Sequence, residues 1–450
     1  MAKSKQKFIC QNCEAVFYKW AGRCENCGEW NSLVEQTLPE VGRSAVARSI
    51  NNGKPLQVNS LNSIPFEEGM KRLKTGIGDL DIILGGGILP GGVTLLAGQP
   101  GIGKSTLLLQ TVANIAHNYD ILYISGEESA GQVRLRAARL GADKSSNLNF
   151  AASTSADDIA ATIRTGKYQL VVVDSVQTLH LNEITSSPGS ISQITNSSNA
   201  IINAAKETGT SVIFVGHVTK EGSIAGPKIL EHLVDVVLQF EGDRYGGFKI
   251  VRAVKNRYGS TNEAAIFEMG EKGLKIVENP SAALLAERRD EDGSVVLATL
   301  EGARPLLVEI QALVNSTNFG YPKRTASGFD INRLNLLIAV LERRTKLKLS
   351  DKDIYINVVG GIKISDPAAD LAICMAIASA SAGRRLNYGT VVFGEVGLGG
   401  EVRSVTSIEK RIAEAKKLGF TKALAPRTSK DDFIIGVDNV RSTLIEYLQK

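Results

Sequence analysis

Short, continuously apolar runs punctuate the middle of the chain, at 93–97, 121–125, 170–174, 211–215 and 234–239. Runs of this kind predict strands buried on both faces, and so a parallel sheet. Between them the apolar positions take a helical period, at 106–116 and 130–140. Beyond Gln239 the pattern changes. Residues 248–254 and 264–268 predict a hairpin-type addition, with Gly270-Glu271-Lys272-Gly273 as the next turn. From about 281 a second set begins: strands at 295–299, 306–313 and 354–359, an amphipathic helix at 331–344, a buried helix at 368–382 and a charged surface helix at 407–418. These predict a separate α/β domain. No repeat of solenoid period is present.

This patterning divides the chain into a Cys-rich module at 1–35, a linker at 36–65, a first α/β domain at 66–280 and a second at 281–450. The linker loses periodicity, and residues 41–75 hold six basic and two acidic side chains.

Composition narrows the class. Of 450 residues, 43% are apolar and 22% charged, which excludes a disordered or fibrous chain. The balance of 52 basic and 47 acidic residues leaves a net charge of +5, compatible with a nucleic-acid partner without requiring one. The apolar segment 368–382 is too short for a membrane span and carries Asp370. The basic start runs into a Cys motif with no apolar stretch between, which predicts a cytoplasmic protein.

Four of the five cysteines are Cys10, Cys13, Cys24 and Cys27. Two C-x2-C pairs suit knuckles that aim four thiolates at one tetrahedral metal, with Zn2+ the default ion and a rubredoxin-type iron the alternative. Phe8, Phe17, Tyr18, Trp20 and Trp30 interleave these ligands. They are expected to cover the small module, and stacking on nucleobases is the second reading. Cys374 lies in the apolar helix and reads as core.

Gly98-Gln99-Pro100-Gly101-Ile102-Gly103-Lys104-Ser105 matches G-x4-G-K-[ST], between a predicted strand and a predicted helix. With Thr106, this run is the expected nucleotide-binding segment for ATP. Its backbone N–H groups would wrap phosphates, Lys104 would reach the β- and γ-phosphates, and Ser105 would bind Mg2+. The strand 170–174 ends in Asp174, the expected second Mg2+ residue. Glu127 and Glu128 follow the strand 121–125, where a carboxylate can orient water. Glu127 is the favoured base, and capping of the next helix is the alternative for both. His217 follows the strand 211–215, either as a sensor of the γ-phosphate or as a structural histidine. Segments 177–199 and 219–226 are polar and read as loops that couple phosphate state to a partner.

Together these motifs resemble a RecA-like ATPase. Lys255-Asn256-Arg257-Tyr258-Gly259 sharpens the likeness, because it is similar to the Lys-Asn-Arg-Phe-Gly motif of the bacterial RadA (Sms) DNA repair family, with Tyr for Phe. The same family has an N-terminal four-Cys module and a C-terminal domain resembling the Lon protease. The implied fold is α/β: a RecA-like P-loop core between a zinc module and a Lon-protease-like domain. The resemblance also implies a homohexameric ring ATPase, stimulated by single-stranded DNA, that promotes branch migration on branched DNA with the RecA recombinase. Lys255 and Arg257 would then act in trans on a neighbour's γ-phosphate, and Lys220 would touch DNA. In the Lon-like domain the nucleophile position falls at Ala368 and the lysine position at Glu409, next to Lys410. Without a hydroxyl or thiol there, the domain reads as a scaffold and not a protease. Its expected roles are ring formation and holding DNA, to which cations such as Arg304, Arg324, Lys346 and Arg385 would contribute, with no choice among them made by the sequence. A regulatory RecA-like ATPase that acts on protein partners without moving on DNA is the competing function.

Overall fold

The structure is a computed structural model that describes residues 7–10, 15–30, 32–36, 60, 71–217, 228–242, 248–317, 320–427 and 431–449. The chain divides into two compact units, Met1–Glu68 and Gly69–Lys450. Cys13, most of the expected linker, and the segment 219–226 with Lys220 lie outside the described residues.

The first unit contains a three-stranded antiparallel sheet of β1 (Lys7–Cys10), β2 (Val16–Phe17) and β3 (Leu33–Gln36), with β1 central. Cys10, Cys24 and Leu33 form its small core, and Phe8, Phe17 and Ala21 pack against it. The expectation of an aromatic cover is therefore met only in part. Tyr18, Trp20 and Trp30 are 68%, 62% and 69% exposed. A core this small has too little apolar surface to bury five aromatic rings.

The second unit opens on a nine-stranded sheet. Its strands are β4 (Val93–Gly98), β5 (Ile121–Ser125), β6 (Leu148–Ala152), β7 (Leu170–Asp174), β8 (Ser211–His217), β9 (Val236–Gly242), β10 (Phe248–Asn256), β11 (Ala264–Gly270) and β12 (Gly273–Ile276). The order is β12-β11-β10-β9-β4-β8-β7-β5-β6. β4 to β9 run parallel, and β10 to β12 add antiparallel strands. Alternate residues of the continuous apolar runs feed two cores. Leu96, Val172 and Ile213 meet Leu107, Leu108 and Val112 of the helix Lys104–Ile115. Leu95, Val171 and Phe214 meet Ile159 of the helix Ala156–Arg164 and Ile194 and Ile201 of the helix Ile191–Thr208.

That last helix departs from the sequence reading, which placed 177–199 in a coupling loop. Ser190 caps it by accepting from Gln193 N at 3.3 Å, and its buried Ile and Ala residues outweigh its Ser, Thr and Asn content. The remaining loop is pegged by buried Gln193, whose Nε2 donates to Ile184 O and Ser186 O at 2.9 and 3.0 Å.

The same unit carries a seven-stranded mixed sheet, in the order Arg324–Ser327, Lys352–Val358, Arg304–Ser316, Ser294–Glu301, Thr390–Val392, Lys422–Pro426 and Ile434–Val437. The helix Ala369–Ala382 is buried along most of its length. Arg252 to Glu301 (3.1 Å) ties this sheet to the first one, and Arg304 to Asp79 (2.9 Å) ties it to the helix Gly78–Ile83. No helix among the described residues is long and apolar enough to cross a membrane.

Candidate functional site

The loop from Gly98 to Gly103 turns the chain from β4 into the helix Lys104–Ile115. A Cβ on Gly98 would lie 2.6 Å from Phe240 O, so a larger residue would force the loop away from β9. Gly103, at φ 117°, starts the helix in a conformation that side chains avoid. Ile102 is buried and anchors the loop from below.

Lys104 is only 5% exposed. Its Nζ donates to Gly98 O at 2.8 Å and Gln99 O at 3.0 Å, and lies 3.1 Å from His217 Nδ1. Burial pulls its pKa down to about 8, against the pull of Asp174 and Glu127. Ser105 Oγ donates to Asp174 Oδ2 at 2.7 Å, and Tyr123 OH donates to the same oxygen at 2.6 Å. Burial, and then Asp174, push the Tyr123 phenol well up, which keeps it a donor. Hydroxyl and carboxylate oxygens at this spacing fit a magnesium ion that keeps most of its waters.

Both glutamates after β5 are positioned by Ser125, whose Oγ accepts from Glu127 N at 3.3 Å and Glu128 N at 2.9 Å. Their side chains then diverge. Glu128 is bound at both oxygens by Arg136, at 2.6 and 2.7 Å. Glu127 Oε1 accepts from Ser175 Oγ and lies 3.2 Å from His217 Nε2. The His217 contact, then Ser175 and the Lys104 charge, hold the Glu127 carboxyl at about 2 against its desolvation. With Lys104 donating to Nδ1, His217 presents Nε2–H to Glu127, and one imidazole links the P-loop lysine to the carboxylate. Tyr123 and Ser175 belong to this cluster but were not singled out from sequence. Their signal was position alone: Tyr123 in the strand before Glu127, and Ser175 directly after Asp174.

Lys255 and Arg257 lie at the other end of the sheet. Gly98 pairs with Phe240, whereas Thr94 pairs with Val236, which in turn pairs with Asn256. The four-residue offset from Val236 to Phe240 is roughly 13 Å along the strand. Lys255 Nζ donates to Glu231 O and Val234 O at 2.7 and 2.8 Å, and burial lowers its pKa. Arg257 Nη1 meets Asp235 Oδ1 at 3.2 Å and stays 53% exposed. Asp235 itself accepts from Val93 N at 3.0 Å. Arg72 donates to Tyr258 O at 3.3 Å, and Asn256 donates to Ile83 O at 2.9 Å, which fixes the rest of the motif.

In the first unit, Cys10, Cys24 and Cys27 bring their sulfurs within 4.8 Å of one another, with Cys10 and Cys27 at 3.6 Å. Ligands about 2.3 Å from a tetrahedral zinc would stand ~3.8 Å apart. The knuckles are backbone turns, with Cys10 N donating to Ala15 O at 3.0 Å and Cys24 N to Glu29 O at 2.8 Å.

Residues 69–223 match the AAA domain family, 334–429 match "Subunit ChlI of Mg-chelatase", and 8–35 match the rubredoxin metal binding domain. The DNA repair protein RadA of Bacillus subtilis is 48% identical, covering 99% of both chains. That of Listeria monocytogenes is 45% identical, also covering 99% of both. That of Pseudomonas aeruginosa is 46% identical over 95% of this chain and 94% of its own.

The chain belongs to the RadA family of DNA repair proteins.

It is a DNA repair ATPase with a zinc-binding module, a RecA-like P-loop core and a Lon-protease-like α/β domain. In that last domain Ala368 is fully buried at the start of the helix Ala369–Ala382, and its methyl group supplies no nucleophile. Glu409 is exposed. Arg411, two residues on, is fully buried, with Nη1 at 2.7 Å from Asp366 Oδ2 and from Ala298 O. Two of the cations considered for DNA form ion pairs within the chain. Arg304 is engaged by Asp79, and Arg385 by Asp290 at 3.0 Å.

Proposed function

We propose that this RadA-family protein is a ring-forming, DNA-stimulated ATPase that translocates single-stranded DNA. In this role it promotes branch migration of recombination intermediates together with the RecA recombinase, in the cytoplasm. The observation that carries the reading is the separation of the two halves of the site across one sheet. Lys104, Ser105, Asp174 and Glu127 gather at one end, and Lys255 and Arg257 stand at the other. A subunit so built completes its site only with a neighbour's cations, and a homohexamer provides them.

The residues Gly98 to Thr106 bind the phosphates, and Lys104 exchanges its carbonyl partners for the β- and γ-phosphates. Ser105 and Asp174 would hold magnesium, which when bound would screen phosphate charge. Glu127 orients the attacking water and takes its proton, and His217 senses the change at Lys104 and Glu127. Lys255 and Arg257 of the adjacent subunit meet transition-state charge. The polar loop before Ser190 is assigned to DNA contact, and Lys220 to a phosphate of the strand. A regulatory ATPase acting on protein partners is the alternative.

The test is the ATPase rate with and without single-stranded DNA, for the wild type, Lys104→Ala and Arg257→Ala. Stimulation that vanishes in Lys104→Ala is expected. Arg257→Ala should hydrolyse slowly while still binding nucleotide. A rate indifferent to DNA refutes the motor, and normal hydrolysis by Arg257→Ala refutes the action in trans.

A further inference from the structure

The chain has two tryptophans, Trp20 and Trp30. Both belong to the zinc module, and both are exposed, as is Tyr18 beside them. An indole in water forfeits a large hydrophobic gain, and here three large rings forfeit it within thirteen residues. The metal and the small core of Cys10, Cys24 and Leu33 do not use these rings, since Phe8 and Phe17 fill that role.

Cations are set among the rings. Exposed Lys19 stands between Tyr18 and Trp20. Arg23 forms a bridge pair with Trp30, and its guanidinium carbon lies 5.7 Å from the ring centroid. Its Nε donates to Gly28 O at 2.7 Å, which fastens the arginine to the second knuckle. Glu25 and Glu29 are the exposed acids on that knuckle. Over residues 1–30 the sequence carries five Lys and Arg against three Glu.

We infer that Tyr18, Trp20 and Trp30, with Lys19 and Arg23, form a stacking platform for the unpaired bases of a single-stranded nucleic acid. Aromatic faces accept any base, and neighbouring cations meet the phosphates between them. A duplex hides its base faces, so the platform discriminates against it. Unpaired strand is the form that the proposed motor consumes, and the inference rests on that DNA-binding reading. The zinc module thereby becomes a second, nucleotide-independent contact with the strand.

The tryptophan content supplies the assay, because indole emission from the full-length, zinc-loaded protein reports this module alone. Oligo(dT) is titrated without ATP, following tryptophan emission and, in parallel, the anisotropy of a labelled oligo(dT). Saturable quenching that follows the anisotropy is expected, with little quenching by a duplex of equal length. Trp20→Ala and Trp30→Ala should each weaken binding about five- to a hundredfold, with zinc content unchanged, and Trp→Phe should restore most of it. Binding by anisotropy with unchanged emission overturns the platform but leaves the motor reading intact. Equal quenching by duplex also overturns it, as does quenching that appears only on adding the RecA recombinase, which would mark a protein-docking surface. Absence of oligo(dT) binding by either readout without ATP overturns the platform, and absence that persists when ATP is added overturns the DNA-binding reading with it.

Discussion

Replacing Arg411 with Met should loosen the Lon-protease-like domain more than any surface change. Arg411 is fully buried, and its Nη1 lies 2.7 Å from Asp366 Oδ2. At an effective dielectric of about 20, that separation gives an attraction on the order of 6 kcal/mol. Desolvation of the two ions cancels much of it, so the pair adds little relative to a well-packed apolar pair. Removing one partner is different, because Asp366, only 14% exposed, is left without its cation. Asp366 would keep Thr299 Oγ1, Leu300 N and Ala368 N as donors, at 3.0 to 3.1 Å, but no cation. The expected loss is about 3–5 kcal/mol. The readout is hydrogen exchange of the helix Ala369–Ala382, since a chain of several domains has no single unfolding free energy. Its amides should exchange roughly a hundred- to several-thousandfold faster. Asp366→Asn should behave similarly, and the double variant should lose far less than the sum. Losses under about 1 kcal/mol that add in the double variant would refute the reasoning.

The two glutamates after β5 should separate sharply in kinetics. Glu127→Gln should lower the hydrolysis rate by about a hundredfold or more, whereas Glu128→Gln releases Arg136 and should change it only a few-fold. Steady-state ATPase assays decide this, and equal losses would remove the distinction. Nucleotide binding should depend on alkaline pH. Lys104 in the nucleotide-free protein has a pKa of about 8, and bound phosphates favour its charged form, so affinity should fall as pH rises through 8. Above that pH, binding should take up close to one proton, measurable by calorimetry in buffers of different ionisation enthalpy. The same shift makes charged, buried Lys104 a destabilising group below about 8. The unfolded chain binds more protons between there and 10.5, so stability should rise across that window.

The sequence made the nucleotide half of the site legible because its chemistry is local. The P-loop, Asp174 and Glu127 all sit at the ends of strands whose continuous apolar runs stand out. β5, β7 and the helix Ala130–Leu140 were read with their observed bounds. The helix Ile191–Thr208 was read as loop up to residue 199, because small polar residues masked an apolar stripe repeating once in several residues. The strand expected at 234–239 begins two residues later, where Val234 and Asp235 close the turn after the helix Lys228–Leu233. β6 gave no clear run because it is only half-buried. Partnerships such as Glu128 with Arg136, Arg411 with Asp366 and Lys255 with the Glu231 carbonyl were not legible. Each depends on where the backbone returns, and no spacing rule encodes that.

The offset between the P-loop end of the sheet and the Lys255–Arg257 end has a consequence for assembly. A two-fold dimer joins like surfaces, so it cannot bring one end of a subunit against the opposite end of the next while leaving both partners equivalent and further growth possible. Head-to-tail contact can, and it either closes into a ring or grows as an open helix. Under the proposed function, subunits in such an array would be individually incompetent but mutually repairable. On the proposed function, a subunit that has lost Lys104 would still lend its arginine, and one that has lost Arg257 would still hold nucleotide. Two inactive variants mixed in one array would therefore regenerate working junctions, and their number would count how the neighbours alternate.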